Sequence, residues 1–145
     1  MGKAILIYGS TTGNTEQLKD SVESGLKSAG WDVTVKNVTE TDINEIKGYD
    51  LVVLGCPTWG DGELQEDFIE FHENMTEDIF KDKKTAVFGP GDSELYPDTF
   101  CAAVDMLESK LSDLGANIAV DGLRVDGSVD AAAGEAEEWG ASIKP

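Results

Sequence analysis

Apolar runs of strand length alternate with stretches of helical periodicity along all 145 residues of the chain. Five runs have the length and composition of strands: 4–8, 31–38, 49–55, 84–89 and 116–125. The first, third and fourth are almost continuously apolar, which is typical of strands covered on both faces. The second alternates polar and apolar residues, as expected of an edge strand, and the fifth is interrupted by Asp121 and Gly122. This alternation predicts a parallel sheet flanked by helices and joined by right-handed crossovers.

The segments between these runs carry apolar residues at intervals of three and four, as on one face of a helix. The predicted stripes are Leu18, Val22, Leu26 and Ala29; Leu64, Phe68, Phe71 and Met75; Phe100, Val104, Leu107, Leu111 and Leu114; and Ala132, Ala136, Trp139 and Ile143. A shorter helix is predicted around Ile43 and Ile46. One domain over 1–145 follows, with a three-layer α/β/α fold and a five-stranded parallel sheet. An apolar first strand and an alternating second strand favour the order 2-1-3-4-5.

In sheets of this order a ligand binds beyond the carboxyl ends of the strands, where the strand order reverses. That rule selects three loops, at 9–15, 56–63 and 89–99. The first reads GSTTGNT and leads into a helix. A helix N-terminus offers unpaired N–H groups to an anion, and the hydroxyl and amide side chains add donors. Because the loop lacks the lysine of a nucleoside-triphosphate loop and the G-x-G-x-x-G of a dinucleotide site, a single terminal phosphate fits it best. A capped structural turn is the alternative.

The other two loops carry aromatic residues outside any helical stripe. Trp59 lies between Pro57 and two glycines, and Tyr96 precedes Pro97. Trp59 is either a structural residue that fills space or a stacking platform for a ligand. A flat ligand stacked between two aromatic rings would gain more binding energy than its buried area alone provides. The helical stripe explains Trp139, and Trp31 opens a strand and is expected to pack. Together with a phosphate turn, the two aromatic residues predict a mononucleotide with a flat head group.

Composition excludes several classes of function. Eleven basic and 29 acidic residues give a net charge of −18, so nucleic acid and anionic membranes are unsuitable partners. Cys56 and Cys101 lack metal-site spacing and are expected to be reduced thiols. His72 is the single histidine and has no evident nucleophile nearby, so we expect no catalytic role for it. The N-terminal MGKAILIYG resembles neither a secretory signal nor a transit peptide, and a cytoplasmic location is expected.

Three segments in this order, GSTTGNT, PTWGDGE and GPGDS followed by Tyr and Phe-Cys, resemble the short-chain flavodoxins, which bind FMN non-covalently. The resemblance covers nearly the whole chain, ending with DGLRVDG, and implies a single flavodoxin-like domain. The implied phosphate-binding residues are Ser10, Thr11, Thr12, Gly13, Asn14 and Thr15. The implied ring-side residues are Pro57, Thr58, Trp59, Gly60, Asp61, Gly91, Asp92, Tyr96, Phe100 and Cys101. Among these, Trp59 and Tyr96 would stack on the flavin, Asp92 would bind the pyrimidine edge, and the Cys101 amide would donate to a flavin carbonyl.

The resemblance implies a low-potential one-electron carrier that alternates between semiquinone and hydroquinone states and is not an enzyme. Redox proteins with basic docking patches are the expected partners, and a monomer is the expected state. Carboxylates in the ring-side loops would oppose the addition of an electron: one charge about 10 Å away costs roughly 1.7 kcal/mol at an effective dielectric of about 20.

Two other functions share elements of this pattern. A phosphorelay receiver domain would need an acceptor aspartate after strand 3 and acidic residues after strand 1, where this chain has Cys56-Pro57 and Gly9-Ser10. A small FMN-dependent reductase would need a segment that builds a second substrate site, and none is evident.

Overall fold

A computed structural model of the chain describes residues 2–9, 14–56, 58–59, 63–64, 66–91, 101–126 and 132–143. Its strands are β1 Lys3–Tyr8, β2 Asp32–Asn37, β3 Leu51–Gly55, β4 Thr58–Trp59, β5 Glu63–Leu64, β6 Lys84–Gly91, β7 Asn117–Ile118 and β8 Leu123–Asp126. Its α-helices are α1 Asn14–Ser28, α2 Glu66–Glu73, α3 Glu77–Phe80, α4 Ala102–Asp113 and α5 Ala133–Ala141. Two 3₁₀ helices, Val38–Glu40 and Ile43–Gly48, connect β2 to β3.

The main sheet is parallel and has the order β2-β1-β3-β6, with both β7 and β8 paired to β6 at the next position. The predicted order 2-1-3-4-5 is therefore confirmed, with β6 as the fourth strand and β7 and β8 as the two parts of the fifth. The break falls between Ile118 and Leu123, around the predicted Asp121 and Gly122. The alternating second strand lies at the edge, as predicted.

Successive residues of the central strands enter two separate cores, which is the signature of a sheet covered on both faces. On β1, Ile5 and Ile7 belong to the core under α2, α3 and α4, and Ala4 and Leu6 belong to the core under α1 and α5. The three-layer α/β/α architecture is confirmed. Trp31 packs as expected: it is buried, and its indole Nε1 donates to the Ile143 carbonyl at 2.7 Å.

Two sequence predictions about element boundaries are wrong. Leu64 does not begin the third helical stripe; it lies in β5, which forms an antiparallel hairpin with β4. The helix starts at Glu66 and buries Phe68 and Phe71, whereas Met75, which is also buried, lies two residues beyond its last residue, Glu73. Gly89 and Gly91 do not lie in a loop, because β8 pairs with β6 as far as Gly91 and extends that strand by two residues beyond the predicted end.

None of the helices in the described ranges is both long enough and apolar enough to cross a membrane.

Candidate functional site

The three predicted loops start side by side at one edge of the sheet. Tyr8 at the end of β1 is paired with Gly55 at the end of β3, and Gly55 is paired with Phe88 of β6. The backbone ladder continues past the strands: the Gly9 N–H donates to the Gly55 carbonyl at 3.0 Å, and the Cys56 N–H donates to the Phe88 carbonyl at 3.1 Å. Parallel pairing thus brings the starts of the first and second loops, and the strand that leads into the third, to a single place.

Many of the predicted site residues fall outside the described part of the chain. These are Ser10, Thr11, Thr12, Gly13, Pro57, Gly60, Asp61, Asp92, Tyr96 and Phe100. Four others are described through their backbone: Asn14 begins α1, Thr58 and Trp59 form β4, and Gly91 ends β6. Thr15 and Cys101 are described with their side chains. The assignment of all these residues to a cofactor site remains a prediction.

Thr15 is a buried polar residue near the N-terminus of α1. Its side chain is fully buried, and its Oγ1 is the one buried side-chain oxygen or nitrogen within the described ranges that lacks a hydrogen-bond partner. Burying a hydroxyl without a partner is costly, so such a group indicates a missing ligand or solvent molecule. The first N–H groups of a helix also lack intrahelical partners and favour an anion. The donor set therefore fits a phosphate group.

The nearest described cation on α1 is engaged elsewhere. Lys19 Nζ lies 2.8 Å from a carboxylate oxygen of Asp20 and 5.1 Å from the centre of the Tyr8 ring. The ring of Tyr8 holds it by a cation–π contact, and Asp20 compensates its charge. This arrangement agrees with a phosphate site built from neutral donors, as the lysine-free GSTTGNT sequence predicts.

The β4–β5 hairpin fixes the backbone on either side of residues 60–62. Trp59 is paired with Glu63 and Thr58 with Leu64, and the hairpin contacts α4. Reasoning from the sequence missed this hairpin, although the Asp61-Gly62 pair between the two strands is a known turn signal. β4 follows the carboxyl end of β3 and also contacts β6.

Cys101 immediately precedes α4 and adopts an unusual backbone conformation for a residue with a side chain, with φ of 51° and ψ of 33°. The left-handed region is sparsely populated outside glycine, so the surrounding structure must impose it. The side chain is buried, and its Sγ donates to the Gly89 carbonyl at 3.5 Å. Burial raises the pKa of the Cys101 thiol to about 11, so it stays protonated at neutral pH. Both cysteines are buried and neither is in a disulfide; that they are reduced remains a prediction.

Sequence reasoning also missed an ionic cluster beside α4. Arg124 of β8 forms ion pairs with Asp105 and Glu108 of α4, at 2.7 Å in the case of Glu108. Glu108 additionally accepts the Gly122 N–H at 3.0 Å. The one sequence signal was the arginine two residues after the interruption of the fifth strand at Asp121 and Gly122.

His72 lies on α2 beside a surface cavity of about 430 Å³ that Met106 and Lys110 also line. Partial burial lowers the pKa of His72, and the charge of Lys110 lowers it further, which favours the neutral imidazole. Its lack of a catalytic role remains a prediction. No cluster of three metal-ligating side chains is present among the residues that the structure describes.

Comparisons with known proteins agree with the resemblance seen in the three sequence segments. The flavodoxin family model matches residues 6–139. A flavodoxin of Maridesulfovibrio salexigens is 42% identical over 146 aligned positions, covering 99% of this chain and 97% of that protein. A flavodoxin of Nitratidesulfovibrio vulgaris is 36% identical, with the same coverage of both chains. The crystal structure of oxidised flavodoxin 1 from Bacillus cereus superposes with a TM-score of 0.86 at 32% identity, covering 97% of this chain and 96% of that one.

Proposed function

The chain belongs to the flavodoxin family, and from that premise we propose that it carries single electrons at low potential between other redox proteins through a non-covalently bound FMN. Family membership makes it an electron-transfer protein rather than an enzyme. The observation that carries the proposal is the buried, unpartnered hydroxyl of Thr15 at the N-terminus of α1. It lies at the edge of the sheet where all three candidate loops begin.

The chain's own residues divide the work of binding. The segment from Ser10 to Thr15 would hold the phosphate with backbone N–H groups and neutral side chains. Trp59 and Tyr96 would stack on the ring, and Asp92 with the Cys101 amide would bind its edge. When bound, FMN supplies the electron-accepting ring. The protein contributes orientation and electrostatics.

The distribution of charge supports a low potential. The phosphate segment contains no cation, and the cation of Lys19 is compensated by Asp20. The ring-side loops contain Asp61, Glu63 and Asp92, and the whole chain has a net charge of −18. Because each nearby negative charge opposes an added electron, such a site favours donation over acceptance.

The test is to identify the chromophore of protein purified without added flavin. We expect a yellow protein that releases FMN on denaturation, and an apoprotein that binds FMN again in a fluorescence-quenching titration. Reduced nicotinamide nucleotides alone should leave the flavin oxidised, which separates a carrier from a small reductase. A colourless protein whose apo form takes up no FMN would contradict the proposal.

Association with partners should weaken as salt is added, because the carrier is acidic and would dock on basic patches. Exposed carboxylates are present on two of the helices that follow the ring-side loops: Glu70 and Glu73 on α2, and Asp105 and Asp113 on α4. We expect the reduced protein, acting as a monomer, to reduce a basic haem protein such as cytochrome c more slowly as NaCl rises. Ferricyanide, a small anion, serves as the control and should react faster as salt rises. Equal salt dependence for both acceptors would contradict the docking proposal.

A further inference from the structure

Arg124, Asp105, Glu108 and the backbone of Gly122 form one connected cluster, which we call the Arg124 clamp. Arg124 Nη2 donates to carboxylate oxygens of both Asp105 and Glu108, and Arg124 Nη1 donates to the Gly122 carbonyl at 3.2 Å. The Glu108 carboxylate also accepts the Gly122 N–H at 3.0 Å. One side chain of α4 and one of β8 thus satisfy both backbone groups of Gly122, in the break between β7 and β8.

The clamp requires close contact between the strand break and the helix. A Cβ on Gly122 would lie 2.8 Å from Val104 Cγ1 and 3.0 Å from Glu108 Cδ, so a larger residue would push the break away from α4. Arg124 and Glu108 are about one-third and one-fifth exposed. Ion pairs with this degree of burial are screened less than fully exposed ones. The forked guanidinium lets Nη2 serve the two carboxylates while Nη1 serves the Gly122 carbonyl.

The two elements that the clamp joins, α4 and β8, both connect to residues on the predicted ring side of the cofactor site. Asp105 lies one turn after Cys101, and the Asp105 N–H donates to the Cys101 carbonyl at 3.4 Å. On the other side, the strand of Arg124 pairs with Gly89 and continues to Asp126, which pairs with Gly91. The clamp therefore ties the first turn of α4 to the last residues of β6, on either side of the segment 92–100.

We infer that the Arg124 clamp is a positioning device for the ring side of the flavin site, holding the Cys101 amide and both ends of the segment 92–100 at a fixed separation. The inference rests on the proposed function. Cys101 precedes a helix in a left-handed conformation that its own side chain does not favour, so an external restraint on the first turn of α4 is needed. The clamp is such a restraint, formed by charged groups one and two turns further along the helix.

The test compares FMN with riboflavin, which has the same ring and no phosphate. In Arg124→Met we expect the affinity of the apoprotein for both flavins to fall by the same factor, about tenfold, the scale of coupling within one hydrogen-bonded network. Arg124→Lys should recover part of the loss, because an ammonium keeps the charge but lacks the fork. In the apoprotein, hydrogen exchange of the amides at 101–104 should accelerate in Arg124→Met.

The matched control is Glu45→Ala at the opposite edge of the sheet. Glu45 pairs with Lys36 at 2.6 Å and completes a capping box with Asp42, so its replacement also breaks an ion pair and a backbone contact. It should leave both flavin affinities unchanged. If Arg124→Met does not fold, Asp105→Asn, at a more exposed carboxylate, should give a smaller loss with the same equal effect on both flavins.

Unchanged riboflavin affinity in a folded clamp variant, or a loss confined to FMN, would overturn the inference while leaving the proposed function intact. A wild-type protein that binds neither flavin would instead contradict the proposed function itself.

Discussion

Replacing Thr15 with valine is expected to weaken FMN binding by about 10- to 100-fold and, at the same time, to make the apoprotein more stable. Hydrogen bonds to a charged group contribute roughly 1.5–3 kcal/mol, and the valine methyl that replaces the hydroxyl cannot donate one to a phosphate. In the apoprotein the Thr15 Oγ1 is buried without a partner, so its removal should raise the free energy of unfolding by about 1 kcal/mol. Valine keeps the shape, and the core around position 15 should not repack.

Two measurements check this opposite pair of effects. Flavin affinity is obtained by fluorescence quenching with FMN and with riboflavin, and apoprotein stability is obtained from urea unfolding. Riboflavin affinity should not change, because the lost hydroxyl is assigned to the phosphate. An equal loss of affinity for FMN and riboflavin would mean that Thr15 acts on the ring or on the protein structure, and it would contradict the assignment to the phosphate.

Thr85→Val is the matched control within the same chain. Thr85 is also fully buried, but its Oγ1 already donates to the Asn117 carbonyl at 3.4 Å. The same chemical change should therefore destabilise the apoprotein by up to about 1 kcal/mol and leave the affinity for both flavins unchanged. If Thr15→Val and Thr85→Val behave alike, the unpartnered hydroxyl has no special role.

The sheet could be predicted from the sequence because the pattern of apolar residues along a strand indicates whether that strand lies in the interior or at the edge of the sheet. A continuously apolar run such as 4–8 is stable only when both faces are covered, and an alternating run such as 31–38 fits an edge. Those two facts favour the order 2-1-3-4-5, and that order determines the edge at which the loops meet. Gly9, Gly55 and Cys56 therefore lie where the pattern predicts, joined by backbone hydrogen bonds.

The β4–β5 hairpin and the Arg124 clamp could not be predicted in the same way. The hairpin depends on strand pairing and the clamp on ion pairs between separate elements, and neither produces a periodic pattern in the sequence. Leu64 fits a helical stripe by spacing, yet it lies in β5 because Thr58 offers it an antiparallel partner. From the sequence alone Arg124 would be an exposed strand residue. In the structure it pairs with Asp105 and Glu108 because α4 packs beside β8. Thr15 is one of six residues that the sequence assigns to the phosphate segment, and it is the one whose side chain the structure describes, buried and without a hydrogen-bond partner.

Gly89→Ala is expected to destabilise the apoprotein by about 3 kcal/mol, the upper end of the usual cost of overpacking a core. A Cβ at this position would lie 2.2 Å from the Cys56 carbonyl oxygen and 3.0 Å from Val104 Cγ2. The first obstacle is backbone rather than a flexible side chain. Cys56 is also anchored to the sheet by its N–H, which donates to the Phe88 carbonyl. Relief therefore requires β6 or the start of the second loop to move.

The movement should reach the cofactor site, since Cys56 begins the second loop and the Gly89 carbonyl accepts the Cys101 thiol. We expect weaker binding of both FMN and riboflavin, together with a lower urea midpoint at an unchanged m-value.

Gly134→Ala is the matched control: no atom lies within 4 Å of its added Cβ, and the residue is in α5. There the same substitution should stabilise the protein by roughly 0.5–1 kcal/mol, because alanine is the better helix former. A Gly89→Ala variant as stable as wild type would show that β6 and the second loop separate easily, and that the close approach of Gly89 to Cys56 does not hold the site together.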